Sequence, residues 1–246
     1  MTSKAFVKNI PGPAQAFAGE IRKNAPVRVE SVYVVGSVLT PDFQPALSDI
    51  NTLILTREQS TSFLDFLITL GQRFKEDGLA PPLVMSEEYV YRSLDTFPVE
   101  FLNFREIHHV LFGPDILNDL EIEFAPLRLQ CEREIKARLL WLGQVYLETM
   151  AQVELLAPRL IDSITGYFPL MRALLVLADR RPAHAEAGLI EQVQALLGLE
   201  DDIFMRLRTM KRQQKSWLDQ ASLREDYSRF CQAVWTIAHY VDTLAD

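Results

Sequence analysis

Two cysteines, Cys131 and Cys231, and four histidines, His108, His109, His184 and His239, are the only thiol and imidazole ligands among 246 residues. Without a Cys-x-x-Cys pair or a matching histidine spacing, a structural zinc site is excluded, and two reduced thiols are expected. Positive charge is also scarce. Lys and Arg number 25 against 33 Asp and Glu, giving a net charge of -8, which argues against strong nucleic-acid binding. No apolar run approaches the roughly 20 residues that cross a bilayer, and residues 1–15 lack the apolar core of a signal peptide. A soluble, cytoplasmic protein with no membrane attachment is expected. What is present, 48% hydrophobic residues, is enough for a substantial core.

The acidic excess is confined to one half of the chain. Residues 1–124 carry 10 basic and 17 acidic residues, whereas residues 125–246 carry 15 and 16. In the first half, short β-branched and aromatic runs at Val32–Val35, Leu53–Thr56, Pro98–Phe104 and Val110–Phe112 read as strands. Helical spacing separates them, at Ala14–Lys23 and at Glu58–Lys75, where Phe63, Phe66, Leu67 and Leu70 share a face. From Pro126 the strand signals stop. Leu127, Cys131, Ile135, Leu139, Leu142 and Tyr146 mark one face of a long helix expected to reach Leu156. Pro158, Arg180-Arg181-Pro182, Gly198 and Asp219 then punctuate four further helical patterns, among them Ile161–Leu177 and Tyr227–Leu244. The expected fold class is an α+β domain over residues 1–123, a mixed sheet with flanking helices, followed over 124–246 by an all-α bundle of about five helices.

The segment richest in chemistry is Val32-Tyr33-Val34-Val35-Gly36-Ser37, followed after eleven residues by Asp49-Ile50-Asn51-Thr52-Leu53. Gly36 permits close backbone approach, and the Ser37 hydroxyl beside free amides suits a phosphate. Asp49 and Asn51, two apart on a strand, project to one face, where both side-chain oxygens reach a single metal ion.

A strand, Gly-Ser, about a dozen residues and then Asp-x-Asp on a second strand is the signature that this segment resembles: the nucleotidyltransferase fold of the DNA polymerase beta superfamily. Pro98-Val99-Glu100-Phe101 is similar to that family's later strand bearing its third carboxylate, and His109–Asp115 to the strand ending in a Leu-Tyr-Gly-like turn. The helical half resembles the bundle of bacterial aminoglycoside nucleotidyltransferases. The resemblance implies Asp49, Asn51 and Glu100 as catalytic and metal positions for Mg2+, and Gly36 and Ser37 as nucleotide-binding residues. It implies transfer of a nucleoside monophosphate from a nucleoside triphosphate to a hydroxyl acceptor, in a family where homodimers are common. Asn51 stands where the family has a second Asp. Its neutral oxygen weakens the hold on a divalent cation, so the alternative is a catalytically inactive nucleotide-binding or protein-interaction module, a pseudoenzyme.

Further along, Arg208, Arg212 and Lys215 are expected on one helical face, the densest positive face available to meet phosphate; the competing reading is a solvated face. His108 and His109 point to opposite sides of a strand and read as structural. Arg128 and Glu132 read as an i,i+4 ion pair.

Overall fold

β-Branched residues concentrate where the sheet forms. In the computed structural model, which describes residues 10–45 and 48–244, Val29–Val35 (β1) and Asn51–Thr56 (β2) pair antiparallel. Val35 lies opposite Asn51 and Tyr33 opposite Leu53. His108–Phe112 (β4) joins the other side of β1, also antiparallel, and Leu83–Met85 (β3) runs parallel to β2 with Leu83 beside Leu53. The order β3-β2-β1-β4 makes a mixed sheet.

Alternation along the strands sorts the two faces. Val32, Val34 and Ile54 pack with Phe17 and Ile21 of α1 (Gly12–Asn24) and with Phe63 and Leu67 of α2 (Thr61–Phe74). On the opposite face Tyr33, Val35, Leu53 and Leu55 are covered by Val90 of α3 (Glu87–Arg92), Phe101 of α4 (Pro98–Glu106), Leu117 and Leu120. The strand expected at Pro98–Phe104 is therefore a helix. Pro98 occupies its first turn, where a missing N–H costs nothing. Pro98, Val99, Phe101 and Leu102 are buried at helical spacing, and Asn103 donates to the Val99 carbonyl one turn back at 2.7 Å. The strand that does border β2 is β3, three residues long after Pro81-Pro82.

The chain divides into two compact units, Met1–Ile122 and Glu123–Asp246. Among the described residues the second contains six α-helices: α5 (Phe124–Glu148), α6 (Val153–Ser163), α7 (Tyr167–Leu177), α8 (Glu186–Leu197), α9 (Ile203–Gln213) and α10 (Gln220–Thr243). Tyr167, Phe204 and Phe230 meet edge-to-face at its centre, with ring centroids 5.3–5.6 Å apart. α5 stops at Glu148 rather than Leu156, because Met150 and Ala151 both take positive φ, 49° and 54°, and turn the chain.

Pro158 lies inside α6 rather than at a boundary. A 3₁₀ turn, Ile164–Gly166, joins α6 to α7, so Val153–Leu177 forms one helical run. By length and composition that run is apolar enough to cross a membrane, contrary to the sequence expectation. Most of it is buried: Leu156, Leu160, Ile164, Leu170 and Leu174 lie in the core of the bundle.

Candidate functional site

β1 ends at Val35, and Gly36 turns the chain at φ 81°, ψ -154°, a backbone region essentially closed to residues with a Cβ. The Gly36 N–H donates to the Ile107 carbonyl at 3.1 Å, which fastens the turn to the start of β4. One 3₁₀ turn follows at Ser37–Leu39, with Leu39 N–H donating to Gly36 and Thr40 N–H to Ser37. The Gly36 amide is thus spent within the fold. Among the described residues no backbone carbonyl accepts from the Ser37 or Val38 N–H, so these amides and the Ser37 hydroxyl are what the turn offers a ligand.

A second turn, after β4, is held rigidly against β1. Ser31 Oγ and Tyr33 Oη both donate to the Pro114 carbonyl, at 2.8 and 2.6 Å, and the Ile116 N–H donates to Tyr33 Oη at 3.2 Å. Burial pushes the Tyr33 phenol pKa up, keeping it a donor. Gly113 takes φ 91°, and a Cβ there would overlap the Glu30 carbonyl oxygen. His108 contributes to the same anchorage, with Nε2 2.9 Å from Asp115 Oδ1 and Nδ1 2.7 Å from the Phe104 carbonyl. The sequence pointed to this turn, but Tyr33 reads there as an ordinary strand residue. Its hydroxyl partners lie more than eighty residues away, and no local pattern announces them.

Asn51 opens β2 opposite Val35, so the head of β2 stands beside the Gly36 turn. Ile50 belongs to the core on the α1 and α2 side of the sheet, and alternation directs Asp49 and Asn51 the other way; both are exposed. Glu100 does not join them on a neighbouring strand. It is an exposed residue in the first turn of α4. β3, the strand that borders β2, consists of Leu83, Val84 and Met85 and has no carboxylate. Among the described residues no three His, Cys, Asp or Glu side chains gather closely enough to hold a metal ion. Mg2+ beside a triphosphate requires an octahedral set of oxygens that includes anionic ones. By themselves, one carboxylate and one neutral amide do not meet that requirement; α4, which bears Glu100, packs on the face of the sheet toward which Asp49 and Asn51 point.

In the helical unit the expected basic face is interrupted. Arg208 Nε pairs with Glu186 Oε2 of α8 at 2.9 Å, and both side chains are largely buried. Gln214 adopts a left-handed conformation that ends α9 at Gln213, so Lys215 lies beyond the helix and off the face carrying Arg208 and Arg212. Arg128 and Glu132 form the i,i+4 pair, at 2.9 Å.

No known protein-family profile matches the chain. No curated protein matches it significantly. Among solved structures, the chain is similar to spectinomycin adenyltransferase AAD(9) from Enterococcus faecialis, crystallised with ATP and spectinomycin. The TM-score is 0.54 and the identity 11%, over 92% of this chain and 100% of that one. At this identity the likeness concerns the fold, and the chain has a nucleotidyltransferase-like fold: an α+β domain with a mixed sheet, followed by an all-α region.

Proposed function

We propose that this protein is a nucleotidyltransferase-like nucleotide-binding protein in which metal-dependent transfer to a hydroxyl acceptor has lapsed. The observation that carries this reading is the donor set at the head of β2. Asp49 is retained, Asn51 is neutral, and the bordering strand offers Leu83, Val84 and Met85 where a further carboxylate would complete a metal site. The Gly36 turn and the Ser37 hydroxyl keep the features that suit a phosphate, and the structural neighbour was crystallised with ATP. The half of the chain that bears this turn is net acidic and Asp49 is exposed beside it, so a triphosphate held there depends on the donors of the Gly36 turn in place of two metal ions.

Calorimetry with ATP, with and without Mg2+, tests this reading. Binding at similar affinity in both conditions, with no pyrophosphate released, is the expected result. Binding that requires Mg2+, or steady pyrophosphate release with any hydroxyl acceptor, would restore the reading of an active transferase. Absence of ATP binding in both conditions would reduce the protein to an interaction module.

A further inference from the structure

His108 meets hydrogen-bond acceptors at both ring nitrogens. Nδ1 lies 2.7 Å from the Phe104 carbonyl and 3.1 Å from the Arg105 carbonyl, both in the last turn of α4, and Nε2 lies 2.9 Å from Asp115 Oδ1. A carbonyl only accepts, so Nδ1 carries a proton. Asp115 Oδ1 also accepts from the Asn118 N–H at 3.3 Å, as an ionised carboxylate does, so Nε2 must donate as well. A neutral imidazole has a single N–H and cannot serve both sides. The His108 side chain is only 9% exposed, which leaves water little access to supply what the protein does not.

The surroundings favour the charged ring. From β1, Tyr33 packs edge-on against it with ring centroids 6.0 Å apart, its hydroxyl committed to the Pro114 carbonyl. From α4, Arg105 turns its guanidinium to Glu106 and to the Leu120 carbonyl, away from the imidazole. The carbonyls at the end of that helix carry partial negative charge. The Tyr33 phenol, pushed up chiefly by burial, is pushed further by Asp115 in the turn and by Glu87 in the first turn of α3, so the carboxylate charge at this place comes from those two. A cation between a helix end and Asp115 is stabilised from both sides.

We propose that His108 is a proton-dependent clasp: as an imidazolium it ties the end of α4 to the turn after β4, and loss of one proton opens it. Its position gives it leverage over the Gly36 turn. Ile107, the residue between α4 and β4, accepts from the Gly36 N–H, and His108 lies opposite Val35, the last residue of β1. The clasp therefore sets how firmly the Gly36 turn is held, at the place where the nucleotide-binding reading puts a phosphate; it does not rest on that reading and is measured without nucleotide. The direction with pH follows from the donor count. A neutral ring that keeps Nδ1–H turns a lone pair on Asp115, and one that keeps Nε2–H turns a lone pair on the two carbonyls, so one side lets go as pH rises.

Nitrogen-15 spectra of histidine-labelled protein read the ring directly, and His108→Gln identifies its signal among the four histidines. At about pH 7, both His108 nitrogens should carry protons, although an ordinary histidine is mostly neutral there. Toward about pH 9 one proton should be lost, and protection of the Gly36 amide from hydrogen exchange, corrected for the intrinsic rate, should fall about tenfold. Asp115→Asn is the reverse control, because its amide can donate to a neutral Nε2. That variant should show one protonated nitrogen at about pH 7 and Gly36 protection that no longer changes with pH. The proposal is overturned by a neutral His108 in the wild type at about pH 7, by wild-type Gly36 protection indifferent to pH, or by an Asp115→Asn variant that keeps the wild-type pH response.

Discussion

At the scale of single residues, the strongest constraint in the helical unit is Asp226. Its carboxylate is buried at 3% exposure in α10 and accepts from Trp217 Nε1 at 2.6 Å, Arg206 Nε at 2.6 Å and Arg229 Nη1 at 3.1 Å. Arg229 also reaches Asp201 and Asp202 before α9, so one carboxylate joins three segments of chain. Removing one partner of a buried ion pair costs about 3–5 kcal/mol. Arg206 and Arg229 are partly exposed, however, and water would recover part of that loss. Asp226→Ala is therefore expected to cost about 2–3 kcal/mol in urea denaturation, and Asp226→Asn, which keeps an acceptor for Trp217, distinctly less. Equal losses for the two variants would show that charge, not the Trp217 hydrogen bond, dominates. Little of this was legible in the sequence, where Asp226 is one acid among several in a polar stretch: only Arg229 is a neighbour on the same helix, and Trp217 and Arg206 come from other segments.

Among the elements, legibility followed periodicity. β1 and β2 are visible as short β-branched runs bounded by turn residues, and α1 and α2 because their apolar residues recur at three-and-four spacing. α4 was misread because Val99 and Phe101 alternate as in a strand; Pro98 at its first turn and the apolar pair Phe101-Leu102 are the local signs of a helix. β3 is three residues long, too short for any period, and its place beside β2 comes from tertiary pairing. The two errors are linked, since the acid assigned to the sheet was assigned through a strand that is a helix. α10 begins at Gln220 rather than at Tyr227, seven residues before the expected start, because Asp219, which the sequence marks only as a break, is its cap. Asp219 caps α10, accepting from the Ser222 N–H and the Ser222 hydroxyl, both at 2.8 Å, and these hydrogen bonds hold its pKa below the usual carboxylate range. A carboxyl with a lowered pKa in the folded state contributes stability above its unfolded value, near 3.9, and loses that contribution as pH falls through the folded value. Asp219→Ala should therefore melt below the wild type at pH 7, and the gap should close as pH falls below the usual carboxylate range and through the folded-state value. A gap that persists at low pH would assign the loss to packing rather than to the charged cap.

For the whole molecule, the question is what a nucleotidyltransferase-like fold does with Asn51 beside Asp49 at the head of β2. The sheet and the Gly36 turn, fastened to Ile107 at the start of β4, frame the head of β2, so a substitution there changes charge with little change of shape. Asn51→Asp is nearly isosteric and adds one negative charge beside Asp49. Two unit charges 4 Å apart gain about 1 kcal/mol in water and about 4 kcal/mol near a protein surface. Because Asn51 is exposed, the lower end applies, and Mg2+ affinity in the presence of ATP should rise at least about fivefold. Transfer should nevertheless stay at background, because β3 still supplies no carboxylate and Glu100 stands on α4. Calorimetric Mg2+ titration paired with pyrophosphate release separates these effects. Tighter metal binding without turnover supports a site that lacks two charges. Turnover in Asn51→Asp alone would mean that another acid completes the centre, and loss of that turnover on adding Glu100→Gln would identify it. No change in Mg2+ affinity for either Asn51→Asp or Asp49→Ala would show that the head of β2 binds no metal ion.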